Sequence, residues 1–298
     1  MGIALSLLSM LGFAANILLT RYAVVRLSVE VGFLVALTTN ILFPAILFAV
    51  EWMTRTAPFA WNWKGAALFA LGGFIGTFLG RRLLFDAVHL LGPSRASVFH
   101  STAPAFALVG AWLLADERLG LYEIGLMALV WLGLWFTQPR AGFGAGAGRL
   151  APASLRRGML VGVLTVAGFG FGSVLRGLAM HGWNEAILGT FLASATALAC
   201  QIAVTRNWGK IAAQMRAADR TALWLYVGCG VTTSLGAIFM SLAMNYIEIA
   251  LSVLVVHTTP LVIFPVSVFL LKNREELTPR TLLGALMVLS GIALLAFR

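Results

Sequence analysis

The stretch Phe78–Glu117 returns in altered form in the second half of the chain, and this internal repeat limits the fold more than any other feature. Leu79-Gly80 aligns with Leu235-Gly236, Ala87 with Ala243 and Pro104 with Pro260, all at one offset of 156 (236 − 80, 260 − 104). At the start of each half, Gly12-Phe13-Ala14 aligns with Gly168-Phe169-Gly170, and Ala23 with Ala179, at the same offset. Further on the register slips by two or three residues, with Glu117 matching Glu275, Gly125 matching Gly284 and Gly133 matching Gly291. Similarity at a fixed period across whole halves marks a duplicated fold. In a membrane chain it points to the internal repeats of a transporter.

What is duplicated is a set of apolar runs. Each is about 20 residues long, enough to cross a hydrocarbon core of about 30 Å as a helix. Only 11% of the residues are charged and 60% are hydrophobic, against about 25% charged in soluble domains. Too little polar surface exists to coat a soluble globule. A membrane β-barrel would show shorter segments of alternating polarity, which are missing, so the expected class is an all-α integral membrane protein. Ten spans are expected, at 2–21, 31–51, 65–86, 94–115, 119–138, 158–179, 184–205, 222–244, 248–271 and 279–297. They divide into a first five-helix repeat (1–138) and a second (158–298). The joining segment 139–157, PRAGFGAGAGRLAPASLRR after Gln138, is Gly/Ala-rich and basic, a flexible linker composition. The loop 206–221 is the other long connection, and neither has the makings of a soluble domain. The first apolar run lacks a basic leader and a cleavage site and is read as a retained span. Cys200 and Cys229 lie inside apolar runs, which argues against a disulfide framework.

The net charge of +10 is a topology signal here and not a nucleic-acid footprint. Loops after the odd-numbered spans hold 14 Lys and Arg, among them Arg21, Arg26, Arg156, Arg157, Arg206 and Lys272, whereas the opposite side holds four: Arg55, Lys64, Arg118 and Arg298. By the positive-inside rule the 14-residue side is cytoplasmic and both termini lie on the outer, periplasmic side. An odd number of spans per half makes the two halves enter the membrane in opposite senses. The expected architecture is therefore two inverted five-helix repeats around a central cavity, which supports alternating access to a midplane site.

Two halves of five spans, a proline in the fourth span of each (Pro104, Pro260), an acidic residue after it (LADERL, KNREEL) and a Gly-rich fifth span (IGLMALVWLGLWF, LGALMVLSGIALLAF) resemble the EamA family of the drug/metabolite transporter superfamily. Within it the chain looks most like bacterial amino-acid and metabolite exporters of the YddG type. The resemblance covers essentially the whole chain. It implies a basket in which spans 1, 3, 4, 6, 8 and 9 line the cavity and spans 5 and 10 pack outside. It also implies a multi-pass protein of the bacterial inner membrane. The small multidrug-resistance relatives carry a glutamate in their first span for proton coupling. This chain has no carboxylate within spans 1 or 6.

Polar groups in hydrocarbon are costly and so mark candidate sites. His100 and His257 fall in the fourth span of each half, where they serve either as substrate or proton-coupling groups or as partners of a neighbouring helix carbonyl. Asn16, at mid-span in the first helix, is either a donor and acceptor for the solute or an interhelical brace. Arg176 lies against the charge trend near the outer end of span 6, where it could meet a substrate carboxylate. Arg81, Arg82 and Asp86 cluster at the cytoplasmic end of span 3, as a gate or as snorkelling side chains with an Arg–Asp pair. Phe13, Phe78, Phe169, Phe171 and Met244 offer aromatic and polarisable contact surface, although most such residues only face lipid or other helices. Trp52, Trp61, Trp63, Trp112, Trp183, Trp208 and Trp224 read as interfacial anchors. Asp116 and Glu117 are expected to cap span 5, and Thr278-Pro279 to open span 10. Glycines of spans 3 and 6 permit close helix approach and bending.

No nucleophile elbow, P-loop or HExxH motif occurs, no Cys or carboxylate cluster accompanies the histidines, and no cofactor is expected. The expected function is a secondary transporter exporting small amphipathic metabolites, amino acids first, working as a monomer among membrane lipids and binding no nucleic acid. The alternative is proton-coupled multidrug efflux of lipophilic compounds. An intramembrane lipid enzyme is a third reading, with only the histidines and the span 3 cluster as catalytic material.

Overall fold

In the computed structural model, residues 1–56, 58–91, 99, 102–118, 120–137, 152–269 and 279–296 are described. All regular structure among them is helical: α1 Gly2–Ala23, α2 Val29–Thr54, α3 Trp63–Leu91, α4 Ala103–Ala115, α5 Leu121–Thr137, α6 Pro152–Gly182, α7 Ala186–Val204, α8 Trp208–Arg216, α9 Arg220–Ala243, α10 Ile249–Val256, α11 Pro260–Phe269 and α12 Pro279–Ala296. Six of these (α1, α2, α3, α6, α7 and α9) are long and apolar enough to cross a membrane, and α4, α5, α10 with the start of α11, and α12 form shorter apolar stretches.

Local sequence explains the ends. Asn62 accepts from Gly65 N–H at 3.0 Å and starts α3, while Asp219 accepts from Thr221 N–H at 3.2 Å and starts α9. Asp116 closes α4 in the left-handed region, with φ of 53°. α6 starts at Pro152 and not at residue 158, so the end of the expected linker is already helical, whereas 139–151 fall outside the described residues. The loop 206–221 carries α8, a nine-residue helix anchored by buried Ile211. The expected start of span 10 at Thr278 also lies outside the described residues.

Helix packing repeats the sequence symmetry. A Cβ on Gly12 would lie 3.0 Å from the backbone N of Gly236, and one on Gly168 would lie 3.3 Å from Gly80 Cα. Gly12 is the repeat mate of Gly168, and Gly236 of Gly80, so one crossing occurs twice: α1 on α9 and α6 on α3. Phe13 lies on Gly236 and its mate Phe169 on Gly80, at 3.1 and 3.5 Å from where a Cβ on those glycines would stand. Both crossings run antiparallel. Gly2 meets Tyr246 and Ile247 while Leu19 meets Gly228, and likewise Gly65 meets Trp183 while Leu91 meets Gly158. The ends of α1 and α3 and the starts of α6 and α9 share one end of the bundle, where Arg26 pairs with Asp219 at 3.0 Å. Repeat-equivalent α1 and α6 thus run in opposite directions. α2 and α7 flank this core, and α12 has α5 as its chief neighbour, through Gly133 against the Gly284 carbonyl.

Two departures from simple helix matter for function. Residues Gly73–Gly80 of α3 form a π-helical stretch, a widened turn that re-aims the last part of the helix from Arg81 onward. Span 9, expected as one helix, is broken at His257–Thr259. Pro260 has no N–H to continue the ladder, and hydroxyls fill in: Thr258 donates to Val255 O at 2.6 Å and Thr259 to Val256 O at 2.7 Å. The other half keeps the same hydroxyl bond, since Thr102 donates to Phe99 O at 2.7 Å, and residues 99 and 102 are the mates of 255 and 258.

Candidate functional site

The two crossings join α1 to α9 and α3 to α6, α4 packs on α6, and α10, ahead of the break in span 9, touches α1, α4, α6 and α9. Thr258 in the break of span 9 reaches Met10 Sδ of α1 at 3.1 Å, one turn from Phe13. On the other half, Gly170 of α6 meets Ala103 and Phe106 at the start of α4. The candidate site is this middle layer.

Asn16 donates to the Cys229 carbonyl of α9 at 2.9 Å, and Thr20 lies 3.4 Å from the Cys229 thiol. The side-chain amide is therefore an interhelical brace in this conformation, although Asn16 stays partly accessible. Asn40 of α2 braces the adjacent carbonyl of α9, its amide nitrogen 2.6 Å from the Gly230 carbonyl in the orientation that satisfies its neighbours. His257 sits half-buried in the break with Nδ1 2.8 Å from its own Val253 carbonyl, which fixes the ring. His100 lies outside the described residues. Phe13 and Phe169 are half-exposed symmetry mates over the glycine crossings, whereas Phe171 packs on Gly110 of α4.

Other candidates sit elsewhere. Phe78 packs with Phe33, Leu37 and Ala197 of α2 and α7, and stacks on Phe74 at 6.0 Å, so it turns away from the middle layer. Met244 is only 1% exposed within the apolar core, and its carbonyl accepts from His181 Nε2 at 2.9 Å. Arg82 and Asp86 make no ion pair with each other. Together they line an open cleft of about 360 Å³ with Glu30, Phe33, Phe85 and Gln201 between α2, α3 and α7.

The arginines fall into two kinds. Arg55 is held by carboxylates: two contacts to Glu185 at 2.7 Å and one to Glu51 at 2.6 Å, with Phe59 beneath the guanidinium. These hydrogen bonds raise its pKa. Arg81 and Arg176 have no such partners among the described residues. Arg81 stands at the end of the π-helical stretch, its guanidinium 5.2 Å from the Phe33 ring. Arg176 is 8% exposed, and its Nη1 is buried without a hydrogen-bond partner.

One contact across the halves has no local sequence signature. Glu117 does not cap span 5: its carboxylate accepts from Ile249 N–H at 2.6 Å and Ala250 N–H at 3.3 Å, capping α10. Burial raises the Glu117 pKa, and the two amides oppose that rise. α5 is capped instead by Glu123, which accepts from Gly120 N–H. Trp183 is a second correction. It is buried, donates to the Ala60 carbonyl at 3.0 Å and packs against Phe59, Trp61 and Phe69, so it is no interfacial anchor. Both cysteines are free, and no group of three or more His, Cys, Asp or Glu side chains lies together among the described residues.

Comparison with known proteins places this arrangement. The family model described as "EamA-like transporter family" matches the chain over residues 1–138 and again over 156–297. Among 27 matching chains of solved structures, one crystal structure shares 16% identity, covers 99% of this chain and 96% of its own, and superposes with a TM-score of 0.74. That likeness is one of fold. The search of curated proteins finds no match.

Proposed function

We infer the function from one premise: the chain belongs to the EamA-like transporter family. It is a multi-pass membrane transporter of small solutes. Beyond that, we propose that it exports small amphipathic metabolites, amino acids first, from the cytoplasm across a bacterial inner membrane. In this reading the chain crosses the membrane ten times as two inverted repeats of five, both termini periplasmic, and works as a monomer. The solute binds in the middle layer among Asn16, Phe13, Phe169, His257 and Arg176, with His100 and Phe171 as further candidates. Arg81, Arg82 and Asp86 guard the cytoplasmic mouth.

One observation carries this reading. The crossing Gly12–Gly236 and its symmetry mate Gly168–Gly80 put backbone against backbone with little side-chain bulk between, and each is topped by a half-buried phenylalanine. Two such contacts related by repeat exchange can trade places when one half rocks on the other, which is the geometry of alternating access. Multidrug efflux of cations is the weaker reading, because the described long spans hold no carboxylate away from their ends and a buried cation wants a counter-charge.

The test is flux in proteoliposomes with labelled phenylalanine, threonine, a small dicarboxylate and a lipophilic cation, each with and without a pH gradient. Saturable amino-acid flux is expected. Flux of the cation alone, only under the gradient, overturns the reading.

A further inference from the structure

Arg176 differs from every structural arginine in this protein whose partners are visible, and Arg81 has a ring, Phe33, in place of an anion. Arg55 shows what a braced arginine looks like here, with three carboxylate contacts. Arg26 has Asp219, and Arg280 rests on Trp135 and Phe136. Arg176 has none among the described residues: it lies within α6, 8% exposed, with Nη1 buried and unbonded and no ion pair. Arg81 makes no hydrogen bond or ion pair among them either, and Asp86, one turn further on, lines the outer cleft instead of turning back to it. A guanidinium taken out of water without a partner is costly, and an arginine kept there, as Arg176 is, calls for an anion that comes and goes, while half-buried Arg81 keeps its guanidinium within reach of one.

The two positions bracket the glycine crossing. A Cβ on Gly72 would lie 3.6 Å from the backbone N of Arg176, and Arg81 directly follows Gly80. Nine residues separate 72 from 81, so the two arginines stand at most about 14 Å apart along α3 at the α-helical rise of about 1.5 Å per residue, and closer where the π-helical stretch Gly73–Gly80 shortens the rise. Between them run Gly72, Gly76 and Gly80 against Gly168 and Gly172, with half-exposed Phe169 alongside. No carboxylate of α3 or α6 lies in this interval.

Resting on the transport reading above, we propose that Arg81 and Arg176 are two stations for the anionic group of the cargo, one on each side of the glycine crossing, so that the solutes carry a carboxylate or a similar oxyanion. A solute shorter than the interval holds one guanidinium at a time: Arg81 from the basic end of the bundle, Arg176 from the opposite end. The same pair repels lipophilic cations, and Phe169 receives the apolar part of an amphipathic anion.

The test uses the purified full chain in nanodiscs, with thermal unfolding read against succinate, phenylalanine, phenylalaninamide (the same side chain without the carboxylate) and tetraphenylphosphonium. Each is repeated in bilayers with and without phosphatidylglycerol, which separates a soluble anion from a lipid phosphate. Wild type is expected to be stabilised by phenylalanine or succinate and at least tenfold less strongly by phenylalaninamide. Arg176→Gln should lose that discrimination at least tenfold, Arg176→Lys should recover part of it, and Arg81→Gln should also weaken the anion response. Equal response to phenylalanine and its amide, an unchanged Arg176→Gln, or stabilisation by phosphatidylglycerol alone each overturn the proposal. Saturable flux indifferent to the carboxylate sinks the anion stations and spares the transport reading. Anion binding with no flux of any solute does the reverse.

Discussion

Gly172→Ala and Gly76→Ala add the same methyl group to the same crossing from opposite sides, and the structure gives them opposite outcomes. On Gly172 the new Cβ would lie 2.6 Å from Gly76 Cα and 2.8 Å from its N, both backbone atoms that have no rotamer to yield. Restoring ordinary contact at 3.4 Å means moving α3 off α6 by about 0.8 Å (3.4 − 2.6). On Gly76 the nearest atom is Gly172 Cα at 3.4 Å, already an ordinary contact. Overpacking of this kind costs about 1–3 kcal/mol. Alanine is favoured over glycine within a helix by about 1 kcal/mol, and both variants gain that. Gly172→Ala should therefore be destabilised by up to about 2 kcal/mol and Gly76→Ala stabilised by up to about 1 kcal/mol, so the two differ by the overpacking cost alone. The assay is reversible unfolding in mixed micelles with rising SDS, followed by circular dichroism at the helix band. Equal shifts, or Gly76→Ala the worse of the two, would refute the close crossing and with it the symmetric contact on which the transport geometry rests.

Glu117→Ala removes the cap on α10 and should cost about 1 kcal/mol in the same unfolding assay. The folded pKa of Glu117 is raised by burial, so the folded state binds the proton more readily than the unfolded chain. Wild-type stability should then fall as pH rises through the window just above the ordinary carboxylate value of 4.5. Glu117→Gln, which keeps an acceptor but cannot ionise, should flatten that slope, and an unchanged slope removes Glu117 as its source. Glu185→Ala strips the two-point partner from Arg55 and should cost about 1–3 kcal/mol, more than the same change at Glu51, whose carboxylate makes one contact. Asn16→Ala should cost only about 0.6 kcal/mol as a lost interhelical hydrogen bond, yet it and His257→Ala should lower flux well beyond that while folded protein stays in the membrane. Wild-type rates in both refute their place in the site.

The repeat was legible in the sequence because glycines at helix crossings can hardly be replaced without moving backbone, so Gly12, Gly80, Gly168 and Gly236 stand out at one offset. The long helices were legible from apolar run length. Which face of each helix turns inward was not. A helix apolar all round carries no polar stripe to show its inner side, so Phe78, buried against α2 and α7, and Phe13, half-exposed over Gly236, look alike in sequence. The break at His257–Thr259 is a short polar interruption, His-Thr-Thr before Pro260, inside a run long enough to read as one span. The Glu117 cap joins residues 132 positions apart, and no local spacing rule reaches that far.

Where the repeat is kept and where it is broken divides scaffold from chemistry. The four crossing glycines, Phe13 with Phe169 and Thr102 with Thr258 are the same residue in both halves and make the same contact twice. The polar groups proposed for the site and its mouth obey no such pairing. Asn16 has Gly172 as its mate, Arg176 has Thr20, Arg81 has Ala237 and His257 has Ser101. A backbone that exchanges two equivalent states benefits from having equal halves, because neither state is then favoured by packing alone. A cargo with a charged end and an apolar end is not symmetric, and a symmetric site would bind it in two opposed ways. Placing each guanidinium in one half only removes that ambiguity. It also leaves the difference between the two states to be set by contacts to the solute, which is the condition under which solute binding can drive the exchange.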